Sequence, residues 1–320
     1  MPFDFAAVHT PFRMRPGLRR LAPGDLQLTP NRLGDRSLRE KLSVLFTHPQ
    51  HALLATPGFD AAPALLALCD HAAAEHAQAF CAGPDGAWHA GHLGWSLHGD
   101  ESRGDGPAEI GACLGALPAP WRLPALLSLA FAEDFAVIDA ASGLIPWLAV
   151  CLPSHWAPEE KVGRHFAEVH APVADNALLI TAGGAHLMHL VAGPERWERF
   201  VWTIARGPAL HQHPKHGAAT PWPTGVDAAG LVAQAFFRTE RQTFIPIPTQ
   251  RQAVFTIHVE THPLASALAV PADARRVHDA LASMSLAVLA YRGLTDARER
   301  LLEWLRERGG MSGDGVGQAR

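Results

Sequence analysis

Three clusters of residues have types and spacings suited to chemistry. The first is FFRTERQTFIPIP, residues 236–248, where Arg238, Glu240, Arg241 and Gln242 stand together at the head of an alternating apolar run. Strand period two puts Arg238, Glu240 and Gln242 on one face, and Arg241 and Thr243 on the other. Long polar groups entering a strand are costly if buried without partners. Either they face water, or they form a paired network lining a pocket, where an Arg–Glu arrangement recognises an anion or an amine. The second cluster is EEKVGRHFAEVHAPV, residues 159–173. It reads as a short helix ended by Pro172, with Lys161, Arg164, His165 and Glu168 along one side. His170 falls at the helix end, where an imidazole either projects into a cavity or rests against a backbone carbonyl. The third is HQHPKH, with His211, His213 and His216 in a proline-rich loop. Its spacing lets two imidazoles meet one metal, but no Asp or Glu follows within seven residues to complete a facial triad. A fourth segment, GGAHLMHL with His186 and His189, is a weaker candidate of the same kind.

These groups need a scaffold. Ser37 to Leu45 is helical, with Ser37 as N-cap and Glu40 at the capping-box position. An Ala-rich helix spans 60–82, residues 83–120 read as loop-rich, and a helix covers 122–132. From 134 the texture changes. DFAVID and WLAVCLP flank the turn AASG, a hairpin signal. ALLITAG and RFVWTIAR follow, and then a second hairpin turns at Pro248-Thr249-Gln250-Arg251, with VFTIHVE alternating at period two. The middle of the chain, about 134–264, is therefore an antiparallel sheet. Helices over 272–291 and 295–308 close the chain, with Thr295 as a cap and Gly309-Gly310 as a stop. The organisation predicted is an extended arm over 1–36, a single domain over 37–309 and a frayed tail over 310–320. The fold class is α+β.

Composition sets outer limits. The chain has 320 residues, 48% hydrophobic and 18% charged, so it is globular rather than disordered. A formal charge of −4 argues against nucleic acid as a partner. No apolar run reaches the ~20 residues of a membrane span. Cysteines at 69, 81, 113 and 151 form no CxxC pair, and with no apolar leader they fit a reducing cytoplasm. Fingerprints for dinucleotides, P-loop nucleotides, serine hydrolases and zincins are all absent. Most of the 19 His are expected to be surface residues.

The clusters, taken in order, resemble one family. PFRMRPGL at 11–18 is similar to its opening motif. EDFAVID at 133–139 and CLPSHWAPEEKVGRHFAEVHAPV at 151–173 resemble its PSxW, EKxG and HxPV steps. RFVWTI at 199–204 is similar to its Arg…Trp strand, and FRTERQTFIPIPTQRQAVFTIHVETHPL at 237–264 to its RxERQT block. The family is the haem-dependent oxidative N-demethylase alpha-subunit family, and the resemblance runs over residues 11 to about 290. It implies a PAS-like antiparallel sheet with flanking helices that cradles haem b. It implies oxidative demethylation of a small alkylamine such as dimethylamine, giving the demethylated amine and formaldehyde with consumption of O2. Electrons would come from NADPH through a reductase subunit carrying flavin and an iron–sulfur cluster, in a hetero-oligomer of which this chain is the haem subunit.

Residue by residue, the resemblance makes His170 the axial ligand of the haem iron. Arg241, Lys161 and Arg164 would meet haem propionates. Glu240 would pair with the substrate ammonium, with Arg238 beside it as a second catalytic group, and Thr243 and Trp202 would complete the substrate pocket. The family's aromatic after the HxPV step is replaced here by Ala174-Asp175-Asn176. The single tyrosine, Tyr291, falls in the C-terminal helical region, which predicts a site without a tyrosine. Two other readings compete: a non-enzymatic haem-binding sensor or carrier, and a non-haem metal enzyme using the His211/His213/His216 loop.

Overall fold

The computed structural model describes residues 3–14, 16–170, 190–216 and 220–311, without the side chains of Ala167 and His170. Its strands are β1 (Arg19–Arg20), β2 (Leu53–Ala55), β3 (Cys81–Ala82), β4 (Trp88–Ala90), β5 (Trp95–His98), β6 (Glu101–Gly104), β7 (Asp134–Asp139), β8 (Leu144–Ala149), β9 (Trp197–Arg206), β10 (Ala235–Ile247) and β11 (Gln252–Pro263). Among the described residues they form two sheets. One has seven strands in the order β1-β9-β10-β11-β7-β8-β2, and the other is β3-β4-β5-β6. Every pairing is antiparallel, so the fold is α+β.

Both hairpins expected from the sequence are present. The β10–β11 turn closes through Arg251 at φ 53°, a left-handed residue after Pro248–Gln250. β10 begins earlier than its alternating apolar run: all of RxERQT lies inside a 13-residue central strand. The segment ALLITAG lies outside the described residues.

Helices Arg36–Thr47, Ala62–Glu75 and Ala119–Ala130 build the larger core with Phe135, Val137 and Trp147 of the sheet. A second core packs Trp202, Ile204 and Phe237 against Pro271–Ala282, Leu286–Tyr291 and Arg298–Arg308.

Several boundaries differ from expectation for local reasons. Ser37 is not a cap; its Oγ donates to Asn31 Oδ1 at 2.6 Å, and the N-cap is Asp35. Glu40 instead accepts the backbone N–H groups of Leu210 and His211 at 2.9 and 2.8 Å. Residues 83–120 are not a loop region: they hold β4, β5 and β6 of the small sheet and the helix Ala108–Ala116. The helix expected over 272–291 breaks at Ser283-Met284 and restarts with Ser285 as N-cap, its side chain accepting from Val288 N. Thr295 is not the cap of the last helix; Ala297 is. Among the described residues of the 159–173 cluster, Phe166–His170 is the α-helical part, preceded by a 3₁₀ turn at Pro158–Glu160.

The described residues ahead of the first helix include a 3₁₀ turn at Phe5–Ala7 and are fastened to the rest of the structure at several points. Arg19–Arg20 pair with Glu198 and Trp197 at the edge of β9. Gln27 and Leu28 donate backbone N–H groups to the Glu75 carboxylate at 2.9–3.0 Å, and His71 Nε2 lies 2.9 Å from Glu75 Oε1. Burial alone would raise the Glu75 pKa, but the hydrogen bond and charge of His71, with those two N–H groups, hold it below the usual carboxylate range. A depressed folded pKa adds stability that is present above about pH 4.5 and is lost as pH falls through the folded value. Glu75→Gln is therefore expected to cost about 1–3 kcal/mol at pH 7. Urea midpoints measured from pH 7 to 3 should fall less steeply in the variant than in the wild type; parallel curves would refute this role.

Candidate functional site

The seven-stranded sheet carries a cavity of about 310 Å³, in the size range of small-molecule and cofactor sites. Register decides which side chains enter it. Arg238, Glu240 and Gln242 of β10 lie opposite Thr203, Val201 and Arg199 of β9, and all six border the cavity. Across the other edge of β10, Phe244 and Gln242 lie opposite Phe255 and Ile257 of β11, which also border it. Of the two readings open for RxERQT, the structure takes the pocket. Most of the rest of the wall is apolar, including Ala136, Ile138, Leu148 and Val150 of β7, β8 and the residue after it.

Arg238 is only 1% exposed, and the loop beside it satisfies its charge. Its Nε donates to Ser154 Oγ at 2.9 Å, Nη1 to Ala209 O at 3.0 Å and Nη2 to Leu210 O at 2.8 Å. Burial pushes its pKa down to about 10, so it stays cationic at neutral pH. The Ser154 hydroxyl in turn donates to Glu240 Oε1, while Gln242 Nε2 donates to Glu240 Oε2 at 2.6 Å. Both carboxylate oxygens of Glu240 are held by neutral donors on the cavity wall, which fixes its rotamer.

Among the described lining residues four cations, Lys161, Arg199, Arg238 and Arg292, face one carboxylate, Glu240. Two of the four keep unused donors: the Nε atoms of Arg199 and Arg292 are buried without a hydrogen-bond partner. Burial lowers the Arg199 pKa, opposed by the Glu240 charge, and pushes Arg292 down to about 10. Lys161 is half-buried, and desolvation lowers its pKa, with Arg164 adding to the effect; its Nζ donates to Val169 O at 3.3 Å. Buried donors that lack partners cost free energy until an acceptor meets them. An apolar cavity with surplus cations at its wall suits a ligand with an apolar body and anionic substituents.

The expected site residues divide by position. Glu240, Arg238, Lys161 and Trp202 border the cavity. Trp202 does so from the other core: its ring stacks on Phe237 at 5.8 Å, and its carbonyl accepts from Arg292. Arg241 and Thr243 are not brought to the cavity, because period two turns them to the opposite face. Arg241 Nε donates to Glu198 Oε2 at 2.9 Å, and Thr243 Oγ1 is buried 2.7 Å from Thr256 Oγ1. Arg164 is exposed and does not border the cavity. His170 ends the helix Phe166–His170, in which Phe166 and Val169 border the cavity; its side chain lies outside the described residues. His186 and His189 also lie outside them.

Sequence reading missed Ser154, His155, Arg199, Arg292 and Tyr291. The expectation of a site without a tyrosine is corrected: Tyr291 borders the cavity from the end of its helix. His155 borders it with a left-handed backbone, φ 59°, and burial lowers its pKa, with Arg238 adding to the effect.

The histidine loop assembles differently from its spacing. His211 Nδ1 donates to Cys151 O at 2.6 Å, and its ring lies 6.1 Å from that of His213. His213 and His216 are joined instead by His51, of the short helix Pro49–Ala52.

Among the described residues no helix is long and apolar enough to cross a membrane. Residues 36–302 match the family described as haem-dependent oxidative N-demethylase, alpha subunit-like.

Proposed function

Because the chain belongs to the haem-dependent oxidative N-demethylase alpha-subunit-like family, we propose that its cavity holds haem b and demethylates a small alkylamine. The observation that carries this reading is the meeting of an apolar wall, the unpartnered Arg199 and Arg292 donors and the anchored Glu240 in one cavity. On this reading the sheet with its flanking helices is a PAS-like haem cradle.

Ile138, Leu148, Val150 and Phe255 give the porphyrin body apolar surface and keep water out. Arg199, Arg292 and Lys161 would meet the propionates, which gives the free Nε donors of Arg199 and Arg292 an acceptor. His170, at the end of a helix that already borders the cavity, would ligate the iron. Glu240 binds the substrate ammonium, while Ser154 and Gln242 stop the carboxylate from swinging away. Arg238 holds Ser154 in place and balances Glu240 in the free protein. Tyr291 is a further hydrogen-bonding group at the wall. Bound haem would supply the iron at which O2 is activated, with two electrons coming from the partner and two from the substrate. The overall change consumes one alkylamine, one O2, two electrons and two protons, and yields the demethylated amine, formaldehyde and water. The four cysteines are free and show no cluster-binding spacing, so the iron–sulfur cluster, and the flavin that would feed it, are assigned to an NADPH-dependent partner in a hetero-oligomer.

A second reading of the ligand rests on His155, an imidazole that borders the cavity directly. Ultraviolet–visible spectra of protein expressed with haem precursor separate the two. A strong Soret band is expected in wild type and in His155→Ala, and its loss in His170→Ala. A band kept in His170→Ala and lost in His155→Ala would move the ligand to His155. No band in wild type would overturn the haem reading.

A further inference from the structure

We propose that His51, His213, His216 and Glu159 form a structural binding site for Zn²⁺, separate from the cavity. One ligand nitrogen from each of the three histidines can be chosen so that all lie within 4.8 Å of one another. The carboxylate missing from the loop sequence arrives from another part of the chain. Glu159 Oε1 lies 2.9 Å from His51 Nδ1, and Oε2 lies 2.9 Å from His213 Nε2. The Nε2 of His216 is buried and has no hydrogen-bond partner. None of the four residues borders the cavity.

The chemistry selects the cation. Three neutral imidazoles and one carboxylate make a four-coordinate nitrogen–oxygen set, and with every position taken by protein the site is of the closed, structural kind. At metal–ligand distances of about 2.0–2.2 Å, tetrahedral neighbours sit roughly 3.3–3.5 Å apart. To admit the ion, the 2.9 Å contacts open by about half an ångström, and imidazole nitrogens now up to 4.8 Å apart draw in by about an ångström or more. Zn²⁺ then takes the position of the N–H···O contacts between the imidazoles and Glu159, and releases protons as it binds. Lys215 Nζ, 2.7 Å from Glu159 Oε1, is the cation now at this carboxylate, and its side chain is exposed and able to turn away. His48 stacks on His216 at 3.6 Å and holds that ring from behind.

The site ties three separate segments together: the helix Pro49–Ala52, the 3₁₀ turn Pro158–Glu160 and the loop 208–216. The near end of that loop supplies the Ala209 and Leu210 carbonyls that hold Arg238, and Glu40 fixes its next two amides. A metal at His213 and His216 fixes its far end.

The test is calorimetric titration of ZnCl2 into full-length, tag-free protein stripped with chelator, with zinc and iron quantified separately afterwards. One Zn²⁺ per chain is expected, with a higher melting temperature on binding. His216→Ala and His51→Gln should each weaken binding by on the order of a hundredfold, and Glu159→Gln by about ten- to a hundredfold. These three side chains are half-buried or near the surface, so the variants should fold even where His213→Ala does not; circular dichroism melting checks this. The haem spectrum should be the same with and without zinc. Absence of stoichiometric uptake by wild type, or wild-type affinity in a His51→Gln/His216→Ala double variant, would overturn the site.

Discussion

Replacing Glu240 with Gln is expected to leave haem uptake intact and to lower kcat/KM for an alkylamine by about ten- to a hundredfold, the usual worth of a hydrogen bond to a charged group. The side chain keeps its size, and Ser154 still finds an acceptor. What is lost is the negative charge, and with it the ion pair to the substrate ammonium. Among the described wall residues the other charged groups are cations, so a neutral residue at 240 leaves none of them to offset repulsion of a cationic substrate. The loss should therefore fall mainly on KM. The measurements are the Soret absorbance of the loaded protein and steady-state turnover with the partner reductase. Unchanged kcat/KM would remove Glu240 from substrate binding while leaving the haem site standing.

Lys41→Met should destabilise the fold by about 3–5 kcal/mol, a large share of a typical total of roughly 5–15. The Lys41 ammonium is fully buried, 3.1 Å from Asp134 Oδ1, and donates to Phe131 O at 3.1 Å and Glu133 O at 2.5 Å. Removing it strands the Asp134 carboxylate in the interior. Asp134 Oδ2 also accepts the Leu152 N–H at 2.6 Å, at the head of the turn that carries Ser154, His155 and Trp156 to the cavity. The damage should reach ligand binding as well as stability. Urea denaturation checks the first, and Asp134→Asn in the Lys41→Met background should recover part of the loss. A cost below about 1 kcal/mol would show that the pair is not a buried anchor.

The parts of this molecule that were legible in sequence are those written in local periodicity. The 134–149 hairpin announced itself by short apolar, β-branched runs around a turn, and the long β10–β11 hairpin by alternation and turn residues. Alternation alone sorted Arg238, Glu240 and Gln242 from Arg241 and Thr243. The small sheet was not legible, because strands of two to four residues separated by glycine-bearing turns show too little period to register. Arg199 and Arg292 received no site role for another reason: one was marked only as the Arg of a resembling strand, and the other sits just past a helix end. Only pairing of β9 with β10, and folding of the C-terminal helices beside them, gives these positions a shared neighbour. Glu159 was missed similarly, as nothing local links it to a loop more than fifty residues on. The Glu40 spacing looked like helix capping and served instead to hold the histidine loop, a case where a motif was present and its partner was tertiary.

The arm has a consequence for how the molecule meets its neighbours in solution. β9 is a ten-residue strand whose outer edge would offer unpaired amides and carbonyls to any other extended chain. Arg19–Arg20 occupy the start of that edge, and Phe3 packs edge-on to Phe200 farther along it. The same arm lends Met14, Pro16 and Leu18 to the cavity wall. Enclosure of the ligand and protection against edge-to-edge association are thus supplied by one stretch of chain. Loosening it would expose a sticky edge at the moment the cavity opened, so access for a ligand and resistance to aggregation cannot be adjusted independently in this fold.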